Sequence, residues 1–146
     1  MEPSRYAIQE GYRILEHPAD VGIEAHGKSL REVFEYAALG LMSIIVDPTG
    51  IDPVEQRFLA ITGTDLENLL VKWLSEILYL YDGQEFVLSD VTIERISPRR
   101  IEAFVTGDII DPGRHQFRTD VKAVTYHQLK VEEREDGCMA RVFLDI

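Results

Sequence analysis

Three stretches of this 146-residue chain carry side chains whose types and spacing could do chemistry. The first is His17-Pro18-Ala19-Asp20-Val21-Gly22-Ile23. Proline cannot donate to a ladder and restricts the residue before it, so His17 and Asp20 are expected on a stiff corner at the rim of a sheet. An aspartate there either completes a turn by accepting backbone N–H groups or offers itself as a ligand. The second is Thr119-Asp120-Val121-Lys122-Ala123-Val124-Thr125-Tyr126-His127. Strand alternation puts Lys122 on one face with Val124 and Tyr126, and Thr125 with His127 on the other. A lysine between Val121 and Ala123 in an interior strand either snorkels along its own stem or is kept for function. The third is Leu144-Asp145-Ile146, an acid beside the α-carboxylate. If Asp20, Asp145 and the Ile146 carboxylate converge, they make an all-oxygen, negatively charged pocket. Unpaired, such groups repel one another and resist ionisation. A hard divalent cation, Ca²⁺ or Mg²⁺, relieves that repulsion.

Familiar catalytic signatures are missing: no nucleophile elbow, Walker loop, dinucleotide glycine run or His-Glu-x-x-His occurs. A net charge of −11 argues against direct nucleic-acid binding, which needs clustered Lys and Arg, and against docking on an anionic membrane. Cations, or a basic surface on a partner protein, suit this field better. A single cysteine, Cys138, excludes an internal disulfide and a Cys-based zinc site, and its strand-like surroundings predict a buried apolar role. His17, His26, His115 and His127 lack a recognised zinc-ligand spacing. No basic leader with an apolar core opens the chain and no apolar run reaches bilayer length, so a cytoplasmic protein is expected.

The elements that must position these groups follow from periodicity. Residues 1–10 predict a loose end. Tyr12–Glu16 and Val21–His26 predict strands on either side of the Pro18 corner. Ser29-Leu30-Arg31-Glu32 is a capping box opening a helix over Leu30–Val46, which Asp47-Pro48-Thr49-Gly50 ends. Gln56–Thr62 predicts a strand, and Thr64-Asp65-Leu66-Glu67 a second capping box. A stripe of Leu66, Leu69, Leu70, Trp73, Leu74, Ile77 and Leu78 follows, ended by Asp82-Gly83, with Trp73 as core packing. Phe86–Ile96 and Arg100–Ile110 read as interior strands, Asp111-Pro112-Gly113 as a turn and His115–Thr119 as a polar loop. Val121–Glu133 predicts one long strand, Asp136-Gly137 a two-residue hairpin turn, and Met139–Ile146 the last strand. Grouped strands with hairpin turns indicate a single-domain α+β fold over residues 1–146: a two-layer sandwich, its sheet mostly antiparallel, with two amphipathic helices on one face.

The corner motif, the string Lys122-Ala123-Val124-Thr125-Tyr126-His127 and the terminal Leu144-Asp145-Ile146 together resemble the hallmarks of the archease family, over essentially the full chain. Pro18 departs from the family pattern, which more often has Thr there, while His17 and Asp20 match it. The resemblance implies a non-enzymatic activator of the RNA-splicing ligase RtcB. Such an activator speeds guanylyl transfer from GTP onto the ligase's active-site histidine and restores the ligase after each turnover, chiefly in joining tRNA halves. It implies a divalent ion, calcium in family members, held by Asp20, Asp145 and the Ile146 carboxylate. It implies that Lys122, at a position tied to activation, acts on the partner with His17, Thr125 and His127. Two other readings stand beside it: a chaperone-like modulator of RNA-modifying enzymes, and a metal-dependent phosphoester hydrolase with His17 or His127 as base.

Overall fold

Strand β1 (Gly11–Glu16) and strand β2 (Asp20–Gly27) are followed by helix α1 (Leu30–Ile45), a 3-10 turn at Pro48–Gly50, strand β3 (Glu55–Thr62) and helix α2 (Leu66–Gln84). Five strands complete the chain: β4 (Phe86–Ser97), β5 (Arg100–Ile109), β6 (Ala123–Val124), β7 (Lys130–Arg134) and β8 (Gly137–Asp145). This computed structural model describes residues 10–16 and 20–146, so all but the last residue of the loose end expected over residues 1–10, and the corner His17-Pro18-Ala19, lie outside the described residues.

Both helices begin on side-chain caps, one of them displaced from its expected place. Ser29 accepts the Glu32 N–H, and the Glu32 carboxylate reaches back to the Lys28 N–H at 2.7 Å rather than to Ser29. At α2 the cap is Asp65, not Thr64. Asp65 accepts the Asn68 N–H at 2.8 Å, and the Asn68 side chain accepts the Thr64 N–H at 3.0 Å. Asp82-Gly83 does not end α2, which runs on to Gln84 and stops at Glu85 in a left-handed conformation, φ 55°.

The α+β class and the antiparallel pairing hold, but the strands divide between two sheets. One has the order β1-β2-β8-β6, with β7 also paired to β8, and the other has the order β3-β5-β4. Among the described residues every ladder between these strands runs antiparallel. Helix α1 packs against β2 and β4, one strand from each sheet. It lies close: a Cβ on Gly40 would come within 2.9 Å of Ile23 and 3.1 Å of the Tyr12 ring, so only glycine fits. Trp73, fully buried on α2, donates its indole N–H to the Phe34 carbonyl of α1 at 2.9 Å. The interior strand expected at Phe86–Ile96 is instead an edge with two register shifts, and Glu35 of α1 fills the gap by accepting the Ile93 N–H at 2.8 Å. Burial pushes the Glu35 carboxyl up, partly countered by that bond.

The segment read as a polar loop closes the end of α1. Ile44 and Ile45 carbonyls accept the N–H groups of Thr119 and Arg118, Ser43 accepts an Arg118 guanidinium N–H, and Val46 bridges Phe117. These bonds satisfy carbonyls that a helix end leaves without intrahelical partners. Arg114 steadies the same segment by donating to Asp52, Asp108 and Asp111 at 2.9, 2.6 and 3.0 Å.

The long strand expected over Val121–Glu133 is broken in two. Val124 pairs with Leu144, so an unbroken ladder would place residue 127 opposite Arg141; Lys130 sits there, and three residues are extruded. The first piece starts only at Ala123, so Lys122 lies just before it, outside any strand and exposed, with its backbone N–H tied to the Asp145 carbonyl at 2.8 Å. The final hairpin is shifted by one residue: Arg134 pairs with Gly137, leaving Glu135 and Asp136 in the turn.

The displaced cap gives a direct check. Asp65→Ala should lower stability by about 1 kcal/mol, the usual loss for an N-cap. Thr64→Ala should leave it nearly unchanged, both read from urea unfolding midpoints.

A candidate metal and partner-binding face

Strand β2 begins at Asp20 and β8 ends at Asp145, and the register sets these two residues directly opposite each other. Asp145 is also the register partner of Ala123 on β6. Three segments far apart in sequence, around residues 20, 122–125 and 145–146, thus meet at one end of the larger sheet. Facing carboxylates in a sheet repel unless a cation or donor sits between them. Their oxygen chemistry suits a hard divalent ion. Among the described residues no third His, Cys, Asp or Glu side chain completes such a group. His17 lies outside the described residues.

The pleat extends this end into a face. Residues two apart on a strand share a side, so Asp20, Gly22, Glu24 and His26 of β2 look the same way as Asp145, Phe143, Arg141 and Met139 of β8. The opposite side, with Val21, Ile23, Ala25, Ala140, Val142 and Leu144, is the core. Phe143 is 2% exposed yet belongs to the outer face and not to the core cluster. Its carbonyl accepts both the Thr125 N–H at 3.0 Å and the Thr125 hydroxyl at 2.9 Å, and the Thr125 hydroxyl accepts the His127 N–H at 3.2 Å. The exposed His127 ring stands edge-on to Phe143, centroids 5.9 Å apart. Tyr126, also exposed, accepts from the Asn68 amide of α2 at 2.8 Å. Thr125 and His127, expected together, are brought together. Lys122 is near them along the chain but not in the interior-strand setting expected of it.

Further along this face lies a charge cluster that sequence reasoning missed. Glu24, 8% exposed, accepts from Arg13 at 2.7 and 3.1 Å and contacts His26 Nε2 at 3.0 Å. Burial pushes its carboxyl up, but the bonds from His26 and Arg13 outweigh it and hold it below the usual range. The alternation of β2 was legible, and it made Glu24 a solvent-facing residue. Only the pairing of β1 with β2 shows Arg13 opposite it.

Residues 12–146 match the model of the Archease protein family. The chain belongs to the archease family. An archease of Methanosarcina acetivorans is 42% identical over 139 residues, covering 92% of this chain and 95% of the relative. One from Saccharolobus islandicus is 44% identical over 137 residues, covering 92% and 98%. In fold, the solution structure of Methanobacterium thermoautotrophicum protein 1598 aligns with TM-score 0.78 at 32% identity, covering 94% of this chain and 100% of that one. The crystal structure of a Thermotoga maritima archease, described as a possible chaperone, shares the fold with TM-score 0.58 at 22% identity, over 90% and 94% of the two chains.

The Glu24 cluster predicts a pH dependence. A carboxyl held below its ordinary value adds stability that is present above the unfolded value, near 4.5, and is lost as pH falls through the folded one. In Arg13→Met archease that acid-side loss should flatten, measured as the difference in urea midpoint between neutral pH and mildly acidic pH.

Proposed function

We propose that this archease is a non-enzymatic activator of the RNA-splicing ligase RtcB, promoting guanylylation of the ligase and its multiple turnover in tRNA ligation. The observation that carries the reading is the register pairing of Asp20 with Asp145, which brings the two acidic motifs and the Lys122–His127 string to one edge in a chain of this family. In this reading Asp20, Asp145 and the Ile146 carboxylate hold a divalent ion, calcium by family likeness. A bound ion supplies positive charge for orienting phosphate oxygens. Lys122, exposed and anchored only through its backbone, extends its ammonium to the partner site, and His17, Thr125 and His127 contribute to the same contact. The effect on the ligase is one of orientation and electrostatics.

The charge balance supports a protein partner. A chain of net charge −11 is repelled by RNA phosphates and attracted to a positively charged RNA-binding cleft. Among the described residues no helix is long and apolar enough to cross a membrane, in keeping with work beside a cytoplasmic ligase.

In a ligase guanylylation assay, Asp20→Ala and Lys122→Ala proteins should each lower the stimulated rate by roughly tenfold or more, the scale of a lost orienting contact. Their thermal unfolding should stay near that of the parent. Equal stimulation by both folded variants overturns the reading, and stimulation that survives loss of Asp145 favours a chaperone-like role instead. Phosphoester turnover by the isolated protein would favour a hydrolase.

Calorimetric titration with Ca²⁺ tests the ligand set separately. A chain extended past Ile146 should bind more weakly than the parent, by at least the roughly tenfold that losing an outer-shell partner costs.

A further inference from the structure

Phe143 is an anomaly of this fold: a large ring, almost wholly buried, on the side of the sheet away from both helices. Room for it comes from its register partner. A Cβ on Gly22 would stand 2.8 Å from Phe143 Cε1 and 3.0 Å from Cδ1, so the ring lies across the bare backbone of β2. The His127 ring stands edge-on to it. The residue is held there by more than ring contact. Its backbone N–H donates to the Thr125 hydroxyl, which leaves the ring nitrogens to other partners, and Thr125 is bonded twice to the Phe143 carbonyl.

This arrangement is costly for the sheet. Three residues leave the ladder between β6 and β7, and Gln128 takes φ 49° to bring the chain back. An uninterrupted strand would have kept more backbone bonds, and left-handed non-glycine residues are uncommon. What the interruption produces is an exposed imidazole in a set place. Along β8, Phe143 and Asp145 are one pleat apart on the same face, about 6.6 Å. The ring pair is therefore the next station on the face after the Asp20–Asp145 pair.

We propose that Phe143 and Gly22 are positioning residues that hold the His127 imidazole beside the carboxylate pair, where its N–H donates to a phosphate oxygen of the triphosphate in the partner enzyme's site. The inference rests on the activator reading and deepens it. An ion held by the carboxylates would meet some of the phosphate oxygens; a fixed donor beside it supplies a second, directional contact that the acids themselves cannot. A histidine N–H on a rigid support does this with little ordering left to lose on binding.

The experiment measures ligase guanylylation against archease concentration, separating the half-saturating concentration from the maximal rate, alongside NMR of the His127 ring protons. His127→Ala and Phe143→Leu should each lower the maximal rate on the order of tenfold, as a misplaced group does, with the half-saturating concentration unchanged. Phe143→Tyr, which keeps the ring, should retain it. The parent His127 ring shifts should differ from those of a free histidine, revert in Phe143→Leu and persist in Phe143→Tyr. A folded His127→Ala protein reaching the parent's maximal rate overturns the assignment, as does Phe143→Leu raising only the half-saturating concentration. A parent that gives no stimulation at all overturns the activator reading itself, and this inference with it.

Discussion

The ladder between β2 and β8 carries the structure. It joins Asp20–Gly27 to Cys138–Asp145, two segments separated by most of the chain, in eight consecutive register pairs. Closing so long a loop is entropically costly, though the cost grows only as the logarithm of loop length. Burial on one side offsets it, with Val21, Ile23 and Ala25 facing Leu144, Val142 and Ala140 beneath α1. Every other strand of the larger sheet hangs on these two: β1 on β2, and β6 and β7 on β8. A slip of one residue would turn the apolar set outward and drive Asp20 or Asp145 into the core, so the register that packs the interior also opposes the two acids.

Helix α1 is the second constraint, because it touches both sheets and its C-terminal carbonyls are closed by backbone from residues 115–119. Trp73 bonds α1 to α2, and Glu35 bonds it to the irregular edge of β4. Among the described residues, both helices lie on the inner side of the larger sheet, and its outer face carries side chains from the strands and the extruded loop. Rigidity behind that face is what allows a few groups on it to keep fixed positions without a helix over them.

Polar groups on this face are arranged in order along the strands. Facing carboxylates occupy the rim, the Phe143–His127 pair comes next, and the Arg13–Glu24–His26 cluster lies beyond. The buried Glu24 has partners that compensate its desolvation, as a charge so placed requires. The rim acids sit in wetter surroundings, Asp145 exposed and Asp20 half-buried, where like charges are tolerable and a cation can reach them.

Local chemistry was sufficient to read much of this protein from its residues. Both helices, the capping of α1 by Ser29, the buried stripe with Trp73 and the alternation of β2 and β8 follow from periodicity and side-chain hydrogen bonding, which act within a few residues. The motif residues Asp20, Thr125, His127 and Asp145 were likewise legible by type. Pairing was not, since it depends on which distant strand supplies each backbone partner. The division into two sheets, the edge position of β4, the break after Val124, the start of β6 only at Ala123 that leaves Lys122 outside any strand, and the meeting of Asp20 with Asp145 were decided by tertiary structure alone. Phe143 shows the limit most plainly: alternation with Val142 and Leu144 sets it on the outer face, but only the glycine across the ladder, which the sequence does not place there, makes room for its burial.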